Sequence, residues 1–420
     1  MNRTVFAVDI GTSSLKAALI DSFGEVLAAA RVRFPRTQRT GEHWENALSS
    51  AWAAVHSQLG DFTPNAVSVS GNGPTLASVS QDGRASAVLL WNDPVPPISA
   101  ESGAGKTPSL FIPRIQAFQS LHPREFSEAS SLLSGPEYIV WRLTGSPVTI
   151  LPDPRYEKAY WTAGDLSTEG LSGVPLAPFL QAGQRFGLTN GTAGIPAGIP
   201  VTGCGPDFTA ALLGTGTIEP GTACDRAGTS EGLNLCLGEP ISAEAVRTLP
   251  GAVPGVWNAS YILSETGAIF HTWRRDNGLA AMQYPELMKQ IEQSPIVPEH
   301  QGILHPGRKV VEEIGFAVRR GIETLNAIAG KDLVWRLSGG QARNEIWNRM
   351  KADITGARFA LTRTPDGELM GDAIAGFAML GEYASMEEAA RAMVRIDKMY
   401  EPDPENHLLY TEKYRTHAHL

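Results

Sequence analysis

Cysteine is almost missing from this chain of 420 residues: there are three, Cys204, Cys224 and Cys236. The count is odd and no two stand as C-x-x-C, which excludes a disulfide framework and a thiolate zinc site. Long apolar runs are missing too. None approaches the roughly 18 residues of a membrane helix, and Met1 to Asp9 carry no leader-like apolar core. Blocks of basic charge are also lacking. Lys and Arg number 35 against 44 Asp and Glu, a net charge of −9, which argues against a general nucleic-acid binder. The expectation is a reduced, cytoplasmic protein with neither a membrane nor a nucleic acid as partner.

What is present is material for a large core and many tight turns. Hydrophobic residues make up 42% of the chain and charged residues 19%, with 43 Gly and 29 Pro. That balance excludes a disordered chain and suits an α/β protein. The length predicts two or three domains.

The first thirty residues read as a three-strand meander. Thr4 to Val8 is apolar and ends at Asp9; Gly11, Thr12 and Ser13 form a turn; Leu15 to Ile20 is apolar again; a third run spans Glu25 to Phe34. Gly11 lets a ligand approach the backbone, and successive loop N–H groups can cradle an anion. Asp9 at the strand end has the chemistry to hold Mg²⁺ through water. An ordinary hairpin turn would use the same residues. Half a chain later the order repeats: Arg226, Ala227, Gly228, Thr229 and Ser230 echo Asp9 to Ser13, and an apolar run again follows. A loop duplicated in this way predicts two related domains that hold one polyphosphate. The metal-type carboxylate occurs only in the first copy, because Arg226 stands where the first has Asp9.

At this point the sequence resembles the FGGY carbohydrate kinases of the actin-like ATPase superfamily. The opening D-I-G-T-S-S-L-K is similar to their first phosphate loop. Residues 67–75, with Gln81 to Gly83 and Leu90 to Asp93, resemble the stretch that carries sugar contacts. Ser134 to Gly145 is similar to a family helix. Gly194 to Phe208 resembles the strand that leads to the catalytic aspartate. Gly228 to Ser230 matches the second phosphate loop. Leu337 to Asn344, with Asp372 to Gly376, resembles the adenosine region. The resemblance runs in order from residue 4 to about residue 383 and implies two actin-like (ribonuclease H-like) ATPase domains with a central cleft. Their expected bounds are 1–216 and 217–420, joined between Gly214 and Gly221. It implies ATP and Mg²⁺ as cofactors, a small sugar as substrate, and leaves room for a homodimer. Xylulokinase- or ribulokinase-like activity on a ketopentose is the expected reaction. Another polyol, a sugar acid or a deoxy sugar is the alternative substrate, and a nucleotide-binding regulator that phosphorylates nothing small is the alternative function. The chain also departs from the pattern. No arginine follows Asp93 in the W-x-D-x-R position, a G-E-R-x-P segment is replaced by residues 295–308, and the chain is short for the family.

The resemblance assigns roles residue by residue. Asp207 is the expected general base and a sugar contact; read by itself it is equally a helix N-cap before Phe208 to Leu213. Asp9 is expected at Mg²⁺. Gly11, Thr12, Ser13, Gly228 and Thr229 are expected at the nucleotide phosphates. Gly339, Gly340 and Asn344, between a strand ending at Leu337 and a helix from about Ala342, are expected at the adenosine. Asn72, Trp91 and Asp93 join Asp207 as sugar contacts, since sugars are held by planar polar groups and an aromatic face. Trp91 also fits a core position, and Asn92, Asp93 and Pro94 are good turn residues. Ala100 to Thr107 satisfies a relaxed Walker A pattern, A-x-x-x-x-G-K-T. It lacks the strand before and the helix after that such a loop requires, with prolines on both flanks, and is read as a plain loop.

Overall fold

The computed structural model describes residues 3–35, 40–80, 85–95, 109–296 and 305–417. The Walker-like stretch, Gln81 to Gly83 and the replaced segment at 297–304 lie outside them. The chain divides into two compact units. One comprises Met1–Gly214, Pro250–Pro254 and Glu368–Met393; the other comprises Thr215–Leu249, Gly255–Gly367 and Val394–Leu420.

The first unit is built on a six-stranded sheet. Its order is Gly187–Leu188, Pro200–Pro206, Ala66–Gly71, Thr4–Ile10, Ser14–Asp21 and Val26–Arg33. The expected meander is there: Thr4–Ile10 pairs antiparallel with Ser14–Asp21, and that strand with Val26–Arg33. Ala66–Gly71 then joins Thr4–Ile10 in parallel, and Pro200–Pro206 joins Ala66–Gly71 in parallel. Strands covered on both faces are apolar almost throughout; Ala66–Gly71 is buried at every residue, and its two polar exceptions, Ser68 and Ser70, both donate to Asp372. The helix Gly41–Leu59 lays its stripe of Trp44, Ala47, Leu48, Ala51, Trp52 and Val55 on this sheet, as its 3–4 residue spacing predicts.

The second unit repeats the scheme in a seven-stranded sheet. Ala223–Ala227 and Glu231–Leu237 form its hairpin, Trp257–Leu263 adds the third antiparallel strand, and Val334–Ser338 and Arg358–Thr362 continue in parallel. Leaving aside the edge strands Gly187–Leu188, Arg247–Pro250 and Ile396–Tyr400 and counting the other five of each sheet in chain order, both sheets run 3-2-1-4-5 with the same strand senses. The repeated hairpin in the sequence therefore marks a repeated fold. The amphipathic helix Pro306–Ala329 buries Val311, Ile314, Val318, Ile322 and Leu325, the stripe expected from its periodicity.

The helix Gly367–Met379 departs from a division by halves of the chain. From Glu368 onward it packs in the first unit. A side chain at Gly371 would collide with the backbone of Ala210, so only glycine permits that approach. Asp372 to Gly376, grouped by sequence with Leu337 to Asn344, thus belongs to a different unit from that segment.

Candidate active site

Three parallel strands of the first unit end level with one another. Ile10 is in register with Gly71, and Gly71 with Pro206. The residues that follow are Gly11, Asn72 and Asp207, side by side at the carboxyl ends of adjacent strands. Neighbouring strands lie about 4.8 Å apart, and ligands of α/β sheets bind beyond the carboxyl ends. The register thus gathers a phosphate-loop residue, a sugar candidate and the proposed base. Asp207 is the first residue of the helix Asp207–Gly214 and is half-buried. The positive end of that helix favours its ionised form.

The first loop, Gly11 to Ser13, is closed by the Gly11 N–H, which donates to Ser14 O at 3.0 Å; the Phe34 N–H donates to Ser13 O at 2.9 Å. A chain of hydrogen bonds links this loop to the sugar candidates. The Asn72 N–H donates to Ile10 O at 2.9 Å. Thr75 donates its hydroxyl to Asn72 Oδ1 at 2.6 Å and accepts the Trp91 backbone N–H at 3.1 Å. Trp91 Nε1–H donates to Thr12 Oγ1 at 2.9 Å. Asp93 closes the turn around Trp91: its Oδ2 accepts the Leu90 N–H at 2.7 Å, and its own N–H donates to Leu90 O at 3.0 Å.

Two residues of this network were not singled out from sequence. Thr75 is fully buried and ties Asn72 to Trp91. Arg114, in the helix Ile112–Leu121, donates Nη1–H to Asp93 O at 3.0 Å and Nη2–H to Leu90 O at 2.7 Å. Burial lowers its pKa, and the attraction of Asp93 opposes that. Arg114 thus holds two carbonyls of the Trp91 turn from a helix about twenty residues further along the chain. A charged residue among Ile112, Ile115 and Phe118 was the one signal available for it.

Asp9 is buried near the end of its strand, with Oδ2 at 3.1 Å from Lys16 Nζ on the paired strand. Lys16 also reaches Glu368 at 3.5 Å. Asp372, fully buried, accepts from Ser70 Oγ at 2.6 Å; burial first, and also the nearby Asp9 charge, hold its pKa well above the usual carboxylate range. Among the described residues no three His, Cys, Asp or Glu side chains gather to form a metal cage. One carboxylate, here ion-paired with Lys16, is a ligand set that Mg²⁺ accepts, since it keeps several waters and takes its remaining ligands from phosphate oxygens.

In the second unit the structure brings Gly228 and Thr229 together with Gly339 and Gly340. Gln341 Nε2 donates to Gly228 O at 3.0 Å. Gly339 has φ +89 and lies against Ala227, where a side chain would collide with the backbone. The N–H groups of Gly267 and Ala268, at the start of the helix Thr266–Asp276, both donate to Thr229 O at 3.1 Å. Asn344 has a structural duty: its Oδ1 accepts the Trp347 N–H at 3.0 Å and caps the helix Glu345–Thr355. That helix starts later than expected because Gly340–Arg343 forms a separate 3₁₀ turn.

Directly after the second loop sits a buried ion triad. Lys351 Nζ lies 2.5 Å from Asp225 Oδ2 and 2.8 Å from Glu231 Oε1, all three side chains essentially without solvent exposure. Two carboxylates sharing one ammonium in a dry interior favour keeping one proton. Burial and then the Glu231 charge push the Asp225 pKa up to about 8, with Lys351 opposing. A raised folded-state value means stability present at low pH that is lost as pH climbs towards about 8. Asp225→Asn removes this titration. Thermal unfolding of wild type and variant between pH 5 and 9 should show wild type losing ground as pH rises to about 8, with a constant difference beyond it. Parallel curves over the whole range would show that Asp225 is ionised throughout.

With this geometry in place, four similarities are informative. Residues 297–380 match the model of the FGGY family of carbohydrate kinases, C-terminal domain. The xylulose kinase of Escherichia coli K12 is 23% identical over 98% of this chain and 97% of its own length. The xylulose kinase of Rhodospirillum rubrum superposes with a TM-score of 0.77 at 18% identity, covering 99% of this chain and 98% of its own. The gluconate kinase of Lactobacillus acidophilus gives 0.79 at 16%, covering 100% and 97%. The two solved structures share the two-domain actin-like fold, and their substrates differ.

Proposed function

For this member of the FGGY carbohydrate kinases, whose residues 297–380 carry the family's C-terminal domain, we propose ATP-dependent phosphorylation of a ketopentose, xylulose or ribulose. The observation that carries the reading is the level ending of three strands, which sets Gly11, Asn72 and Asp207 side by side. Asn72, Trp91 and Asp93 bind and orient the sugar with Asp207. The Asp207 carboxylate accepts the proton of the attacking hydroxyl as that oxygen bonds to the γ-phosphorus and the bond to the β-phosphate oxygen breaks. Gly11, Thr12 and Ser13 present phosphate-binding donors, and Gly228 and Thr229 form a second loop of the same kind. Gly339 and Gly340 present backbone to the adenosine, and Asn344 fixes the helix behind them. Asp9 would hold Mg²⁺, which when bound would supply neutralisation of phosphate charge.

The test is ADP release with Mg-ATP, measured with D-xylulose, D-ribulose, L-ribulose, polyols and gluconate. The expected result is stimulation by a pentulose well above the sugar-free rate. Stimulation by gluconate or a polyol alone would move the substrate class and keep the chemistry. No stimulation by any of them would overturn the kinase reading and favour a nucleotide-binding regulator.

A further inference from the structure

Trp91 carries a hydrogen bond that a sugar platform does not need. Its indole N–H donates to Thr12 Oγ1 at 2.9 Å, in the middle of the first phosphate loop. Its backbone N–H is held by Thr75, which holds Asn72. The turn that carries it is closed by Asp93 and clamped by the buried Arg114. The backbone that carries the indole is thus held at three points. Thr12, by contrast, lies in a loop of three residues whose neighbours are Gly11 and the exposed Ser13. A donor at this distance constrains the Thr12 hydroxyl's rotamer and the direction of its lone pairs and proton.

We propose that Trp91 is a positioning residue for nucleotide binding: through Thr12 it orients the first phosphate loop towards the triphosphate. This deepens the proposed function and rests on its assignment of Gly11 to Ser13 to the phosphates. It gives one side chain a part in both halves of the reaction, with the ring at the sugar and the N–H at the phosphate loop. Seating of the sugar against the ring is then felt at Thr12.

The test needs no sugar. Binding of the Mg²⁺ complex of β,γ-methylene ATP is measured by calorimetry, with adenosine as the ligand that lacks phosphates. Trp91→Phe keeps an aromatic ring and removes the donor. It should weaken the triphosphate analogue about three- to tenfold, the worth of one neutral hydrogen bond, and leave adenosine unchanged. In a Thr12→Val background the same change should have no further effect, because the acceptor is already gone. A second measurement needs no variant at Trp91. Of the nine tryptophan indole N–H resonances, one should shift in Thr12→Val, and the analogue should shift that same one in the wild type. Equal loss for analogue and adenosine, additive effects in the cycle, or an unchanged Kd in Trp91→Phe would overturn the inference. A wild-type protein that does not bind the analogue would overturn the phosphate-loop assignment itself, and the inference with it.

Discussion

Asp207→Asn lowers turnover by about 10²–10⁴ and leaves nucleotide binding and the fold nearly intact. The expected loss falls on kcat because the variant lacks only the proton acceptor for the sugar hydroxyl. Asn is nearly isosteric with Asp, and at a helix start it is accepted about as well. The half-buried position of Asp207 at the first turn of Asp207–Gly214 leaves room for the amide. Turnover with the stimulating sugar at saturation, the Kd of Mg-ADP and the thermal midpoint are the three measurements. Turnover within a few-fold of wild type would reduce Asp207 to a helix-start residue and move the search for the base to Asp93. Asp93 is a poorer candidate on geometry, since its Oδ2 already accepts the Leu90 N–H.

Lys351→Met destabilises the second unit by about 3–5 kcal/mol, the cost of leaving buried charge without its partner. Asp225 and Glu231 would then face each other in a dry interior with no cation. Each has one carboxylate oxygen without a hydrogen-bond partner even with Lys351 present. Adding Asp225→Asn and Glu231→Gln to Lys351→Met should recover much of the loss, because the triple variant buries no charge. Urea unfolding followed by far-UV circular dichroism reads both. A loss under about 1 kcal/mol in the single variant would show that water reaches the triad. Since Glu231 directly follows the loop Gly228 to Ser230, the single variant should also loosen that loop. Protease cleavage near residue 229 would report it.

Much of this architecture was legible in the linear chain. The hairpin from Thr4 to Ile20, its echo at residues 223–237, the buried stripe of Gly41–Leu59 and the long helix Pro306–Ala329 all follow from periodicity and turn chemistry. These are local signals: a period of 3.6 or 2 and a Gly at a tight turn act within one element. The choice of Asn72, Trp91 and Asp207 rested on resemblance; the register of three strands sets Asn72 and Asp207 side by side, and Trp91 reaches the same loop through a hydrogen bond to Thr12.

Other features had no local signal. Thr75 and Arg114 act through pairings that only chain folding creates, the second across more than twenty residues. Lys351 is separated from both Asp225 and Glu231 by more than a hundred residues in sequence. Their burial is a property of how the helix Glu345–Thr355 lies on the sheet. The helix from Glu368 joins the first unit although it follows most of the second, because close approach at Gly371 is a packing fact. The sequence by itself determined the kinds of element and the duplicated loop, since those depend on residue type and short spacing. Only the tertiary structure decided which strand ends stand level, which cation serves which turn, and that Trp91 reaches Thr12, since each depends on contacts between residues far apart in the chain.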